Sequence, residues 1–128
     1  MALFTFLVED NRTIRENLIP ALEDLAGVQV VGCAETEAAA TEWLAAHADE
    51  WQLLIVDLFL KEGSGLGVLR SCARRAPQQR AVVLSNYVNA DIRSRCKALG
   101  ADAVFDKSRD LEAFFDYCNS DAARTGST

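Results

Sequence analysis

Five short apolar runs punctuate the chain at nearly even intervals, and this rhythm constrains the fold more than any other feature. The runs cover residues 3–8, 28–34, 53–56, 81–84 and 103–105, with starts 25, 25, 28 and 22 residues apart. A spacing near 25 residues suits one strand, one helix and two short loops. The five units share no sequence similarity, so the rhythm is not that of a repeat protein. Val, Leu, Ile and Phe dominate the runs with few polar interruptions, as in strands buried on both faces of a parallel sheet.

The intervening segments carry helical periodicity. Ile14, Leu18, Leu22 and Leu25 mark one face of a helix over residues 12–26, with Pro20 expected to kink or locally adjust it. Residues 37–48 are alanine-rich and favour helix. Leu66, Leu69, Cys72 and Ala73 form a third stripe, ended by Pro77. Ile92, Cys96 and Leu99 form a fourth, with Asn89 as N-cap and Gly100 as C-cap. Leu111, Phe114, Phe115 and Cys118 form a fifth, with Ser108 as candidate N-cap. Residues 122–128 are small and polar and are expected to fray. The order is β-α five times over, which right-handed crossovers turn into an open parallel sheet with helices on both faces.

Composition narrows the class. At 128 residues the chain has room for one domain, and 50% hydrophobic content is that of a globular protein. A net charge of −6 argues against non-specific binding to nucleic acid or to an anionic membrane. No apolar run approaches the ~18 residues of a membrane span, and a cytoplasmic location is expected. Cys33, Cys72, Cys96 and Cys118 form no C-x-x-C pair, so they read as buried or half-buried thiols in a reducing compartment rather than zinc ligands.

In open α/β sheets the ligand lies beyond the carboxyl ends of the strands. Glu9 and Asp10 follow the first run, Asp57 the third and Ser85 the fourth, while Lys107 lies just past Asp106 after the fifth. Three carboxylates converging at one sheet edge call for a cation, and Mg²⁺, with its octahedral oxygen shell, suits them. An aspartate beside that metal can act as nucleophile toward a phosphoryl group and become an acyl phosphate. Lys107 and Ser85 then supply a charge and a hydroxyl donor for the phosphoryl oxygens.

This set resembles the receiver domain of bacterial two-component response regulators, the CheY-like family. The resemblance runs from Leu3 to about Ala122 and rests on Val8-Glu9-Asp10-Asn11, Val56-Asp57-Leu58 with Gly63-Ser64-Gly65-Leu66, Val83-Leu84-Ser85, and Gly100-Ala101-Asp102 leading to Lys107. It implies a doubly wound (βα)5 fold with a five-stranded parallel sheet in the order 2-1-3-4-5. It implies a receiver over residues 1–122 followed by a flexible tail over 123–128. It implies Asp57 as phosphoacceptor, with Mg²⁺ held by Glu9, Asp10, Asp57 and the backbone carbonyl of Phe59, and Ser85 and Lys107 holding the phosphoryl group. The implied donor is a sensor histidine kinase or a histidine phosphotransfer protein. The implied output is a downstream protein, or a second copy of the chain, met through the face formed by helix 4, strand 5 and helix 5. No direct nucleic-acid or membrane contact and no enzymatic turnover beyond self-phosphorylation and its hydrolysis are implied.

The sequence departs from the family pattern at several positions. Val104 stands where a switch aromatic is usual, with Phe105 next to it; Asn86 replaces a small residue after the switch hydroxyl. Ser108 and Lys61 stand where prolines are common. Phe59 and Tyr87, each two residues beyond a site residue, occupy positions that in the family tune the access of water to the acyl phosphate, and two aromatics there are expected to slow hydrolysis. The departures leave open a degenerate receiver that binds partners without phosphate. An aspartyl-phosphate phosphatase is disfavoured because Phe59 stands where such enzymes carry a general acid. His47 is expected to play a surface role, Trp43 and Trp51 to cover the edge of the sheet, and Arg74, Arg75, Arg93 and Arg95 to be solvated helix charges rather than an anion site; Arg12 and Arg15 follow the acid pair closely enough to touch a partner.

Overall fold

The computed structural model describes residues 3–25 and 27–119. The expectations for Ala26 and for the tail beyond Asn119 lie outside the described residues. Ten elements alternate: β1 (Leu3–Val8), α1 (Arg12–Leu25), β2 (Val28–Ala34), α2 (Glu37–Ala46), β3 (Leu53–Val56), α3 (Gly65–Ser71), β4 (Arg80–Ser85), α4 (Ala90–Ala98), β5 (Ala103–Asp106) and α5 (Leu111–Cys118). The strands pair in parallel in the order β2-β1-β3-β4-β5, the order that the resemblance implies.

Alternation along each strand divides the core into two layers. Phe6, Val8, Leu54, Val56, Ala81, Val83 and Val104 face one side and pack with Ala40 and Leu44 of α2, Val68 and Leu69 of α3, and Cys96 of α4. Leu3, Leu7, Leu53, Ile55, Val82 and Leu84 face the other and pack with Leu18 and Leu22 of α1 and Phe114 and Cys118 of α5. Every residue of β3 is buried, as its unbroken apolar run requires of a strand covered on both faces.

The local signals place most helix starts. Asn89 Oδ1 accepts from Ile92 N, Thr36 Oγ1 from Ala39 N and Ser64 Oγ from Leu66 N, so α4, α2 and α3 carry side-chain N-caps. Asn11 does the same for α1 through Ile14 N. Helix α1 runs on through Pro20, which is exposed. Gly100 has φ +101 just beyond α4 and returns the chain toward β5.

Some expectations are corrected. Ser108 is not the N-cap of α5; that position belongs to Asp110, and both the hydroxyl and the amide of Ser108 donate to Asp106 Oδ1. The tryptophans pack as expected: Trp51 is buried, and Trp43 is half-buried with its ring stacked 4.0 Å from that of Phe6. Cys33 is exposed, whereas Cys72, Cys96 and Cys118 are buried. Burial pushes the Cys72 and Cys96 thiols up, away from reactive thiolate. Arg75 is no solvated charge: it donates to the carbonyls of Cys72, Gln79 and Gly100 and pairs with Asp102 at 2.7 Å.

Candidate functional site

The carboxyl ends of β1, β3, β4 and β5 bring Glu9, Asp10, Asp57, Ser85 and Lys107 to one edge of the sheet. Parallel pairing fixes the relative heights of the strand ends. Asp57 N donates to Val8 O, Glu9 N to Ala34 O and Lys107 N to Ser85 O, each within 3.0 Å. The strand ends therefore form one ledge held by backbone bonds rather than by long side chains.

On that ledge Lys107 spans two acids. Its Nζ lies 2.5 Å from Glu9 Oε1 and 2.9 Å from Asp57 Oδ2, and the Lys107 side chain is 10% exposed. Glu9 is 2% exposed, and burial raises its carboxyl above the ordinary value; the Lys107 hydrogen bond and charge offset part of that rise, while the Asp57 charge adds to it. Burial pulls the Lys107 ammonium down, but the hydrogen bonds and charges of Asp57 and Glu9 outweigh it and leave the ammonium above its ordinary value.

Oxygens of Glu9, Asp10 and Asp57 all lie within 4.8 Å of one another. An all-carboxylate oxygen set of this spread fits a hard divalent cation that keeps several waters. A cleft of about 150 Å³ opens over it, lined by Glu9, Asp10, Asp57, Asn86, Lys107 and the rim aromatics Phe59 and Tyr87. Those two rings meet edge to face, with centroids 5.7 Å apart, and are 54% and 71% exposed. A larger, mostly apolar groove of about 400 Å³ between α1 and α5 shares Asn86 and Lys107 but is lined by no carboxylate.

Ser85 Oγ is the one buried side-chain polar atom without a hydrogen-bond partner among the described residues. Such an orphan costs stability and calls for an explanation, and a hydroxyl awaiting an incoming oxygen is one.

Two adjacent residues of β5 separate onto opposite faces. Val104 is buried in the layer under α2, α3 and α4. Phe105 points to the α1–α5 layer, where its ring lies 5.7 Å from Phe114 and from Tyr117. Phe105 therefore cannot stand in for an aromatic at position 104.

Sequence reasoning missed the residues that hold the ledge from behind. Arg15 donates from Nη1 to Glu9 O at 2.7 Å and pairs through Nη2 with Glu35 at 2.8 Å. Glu37 Oε1 accepts from Ser64 N across 27 residues of sequence. Arg93 donates to Val104 O at 2.7 Å and pairs with Asp110 at 3.6 Å, tying α4 to β5 and α5. All three lie on helices whose periodicity announced only the buried face. Their partners are backbone carbonyls, amides or carboxylates distant in sequence, which no motif marks. His47 is structural: its Nδ1 bonds Trp43 O and its ring stacks on Trp43.

Comparison with known proteins matches residues 5–119 to the response regulator receiver domain. Among curated proteins, the response regulator UvrY of Escherichia coli O6:H1 is 26% identical over 101 residues, which are 79% of this chain and 45% of UvrY. The chain thus spans about half the length of the curated relatives it matches. Among solved structures, the phosphorylated cyanobacterial phytochrome response regulator RcpA is 27% identical with a TM-score of 0.72, covering 93% of this chain and 90% of that one. The signal receiver domain of the response regulator NarL from Mycobacterium tuberculosis shares the fold at 22% identity and a TM-score of 0.76, covering 93% and 98%.

Proposed function

Since the chain belongs to the response regulator receiver domain family of two-component systems, we propose that it is a phosphorylation-driven signalling switch with Asp57 as phosphoacceptor. The observation that carries this reading is the Lys107 ammonium bridging Glu9 and Asp57 beside the partnerless, buried Ser85 hydroxyl. The donor is the phosphohistidine of a sensor histidine kinase or a histidine phosphotransfer protein. An Asp57 carboxylate oxygen forms a bond to phosphorus as the bond from phosphorus to the donor imidazole nitrogen breaks. The imidazole leaves with the electron pair and takes up a proton.

Glu9, Asp10, Asp57 and the Phe59 carbonyl would hold Mg²⁺, which offsets the charge of the transferring group when bound. Lys107 exchanges its bond to Asp57 for one to a phosphoryl oxygen, and Ser85 Oγ donates to another. Asn86, Phe59 and Tyr87 line the mouth and limit the approach of hydrolytic water. The chain acts on its own carboxylate and turns over no separate substrate.

Output leaves through the face of α4, β5 and α5, toward a downstream protein or a second copy of the chain. The Arg93 bonds to Val104 O and Asp110 support this route, because they join the three elements that must move together. Among the described residues, no helix is long and apolar enough to cross a membrane. The proposal places the domain in the cytoplasm, on the side where a sensor kinase presents its phosphohistidine.

Binding of beryllofluoride, a mimic of the acyl phosphate, tests this reading by NMR. Wild type with Mg²⁺ is expected to show shifts at residues 9, 10, 57, 85 and 107, and Asp57→Asn none. Absence of wild-type binding would favour the phosphate-independent binding module.

A further inference from the structure

The site is two-sided: Glu9 and Asp10 hang from the end of β1, while Asp57 and Phe59 hang from the end of β3. A third segment touches both. Residues 35–37, from the end of β2 to the first residue of α2, reach the first loop through Glu35 and Arg15, because Arg15 pairs with Glu35 and donates to Glu9 O. They reach the second through Glu37, whose Oε1 accepts from Ser64 N at 2.9 Å and whose own amide donates to Glu62 O at 3.0 Å.

The second loop is shaped to receive that carboxylate. A Cβ at Gly63 or at Gly67 would fall on the Glu37 side chain, and Gly63 holds φ +82 as well. Ser64, whose amide Glu37 takes, pairs with Phe59 in an isolated antiparallel bridge. Fixing Ser64 therefore fixes Phe59, whose amide in turn donates to Asp57 Oδ1 at 3.3 Å. The Glu37 carboxylate also sits in the first turn of α2, where the helix dipole favours negative charge.

The geometry points to Glu37 as a positioning residue that sets the loop after Asp57 in register with the Glu9–Asp10 loop, with Arg15 as the second arm of the same brace. Glu37 touches neither the phosphoryl group nor the metal. It acts through Ser64 and Phe59. This rests on the phosphoacceptor reading of Asp57.

The test compares Glu37→Ala, Glu37→Gln and Thr36→Ala in the full chain. Two readouts are used: amide hydrogen exchange of residues 58–66 without metal, and Mg²⁺ affinity by calorimetry. Gln keeps the acceptor for Ser64 N without the charge. Thr36→Ala removes the N-cap of α2, and so controls for loss of helix stability. Glu37→Ala is expected to speed exchange in residues 58–66 at least tenfold and to weaken Mg²⁺ binding several-fold. Glu37→Gln is expected to restore most of both, and Thr36→Ala to leave both near wild type. Exchange unchanged in Glu37→Ala would overturn the brace. So would Glu37→Gln behaving like Glu37→Ala, which would mean that charge alone matters, or Thr36→Ala matching it, which would mean helix stability alone. Failure of wild type to take up a phosphoryl mimic would instead contradict the proposed function, while the exchange readout still decides the brace.

Discussion

Single atoms decide what this ledge can do. Ser85 Oγ is buried and partnerless, so the unphosphorylated fold carries a desolvated hydroxyl of about 1 kcal/mol or more. Ser85→Ala is expected to raise unfolding stability in urea by about 1 kcal/mol while slowing phosphoryl uptake. A loss of stability would show that the hydroxyl is satisfied by water. Phe59 and Tyr87 rim the cleft edge to face, and truncating either opens the path for water. Phe59→Ala and Tyr87→Ala are each expected to hasten loss of the phosphoryl group several-fold by mass spectrometry; an unchanged lifetime would deny the shield. The charged members of the site were legible in the sequence because each lies within two residues of the end of an apolar run. Arg15 and Glu37 were not, because surface helices place charged residues at most outward positions and nothing in such a pattern separates a solvated charge from a brace.

Side-chain caps set the starts of α1, α2, α3 and α4. Asn89, Thr36 and Ser64 cap their helices by side-chain bonds, and their sequence context announces Asn89 most clearly. The turn into α5 misled because Ser108 bonds back to Asp106, and Asp110, at the N-cap position, makes no side-chain bond into the helix. Asp106 accepts from the hydroxyl and amide of Ser108, while Asp110 Oδ2 accepts from Asp106 N. The bonds from Ser108 hold the Asp106 carboxyl below its ordinary value of 3.8, and the Arg109 charge adds to this. A carboxyl with a depressed folded pKa contributes stability above its unfolded value and loses it as pH falls through the folded value. Asp106→Asn is therefore expected to lower the melting temperature near neutral pH. The difference from wild type should shrink as pH falls below about 3.8. A difference that does not change with pH would assign the effect to packing alone.

At the scale of the whole molecule, five apolar runs near 25 residues apart sufficed for the architecture, because burial on both faces leaves a parallel sheet few alternatives. The strand order came from family resemblance rather than from spacing, and the structure has it. Long-range ties were the illegible part. Arg93 joins α4 to β5 and α5 through Val104 O and Asp110, and β5 carries Val104 where an aromatic switch would otherwise stand. In the proposed switch, coupling from Asp57 to the output face runs through backbone and Arg93 rather than through a rotating ring. Arg93→Ala is expected to leave phosphoryl uptake near the wild-type rate while reducing the beryllofluoride-induced shifts over α4 and α5; full-sized shifts would place the coupling elsewhere. The central claim is that Asp57 of this ledge takes a phosphoryl group. Intact mass after incubation with acetyl phosphate, with and without Mg²⁺, tests it most directly for wild type and Asp57→Asn. The mass of one phosphoryl group is expected on wild type with Mg²⁺ and none on Asp57→Asn or without metal; an equal adduct on Asp57→Asn would rule out Asp57 as the phosphoacceptor.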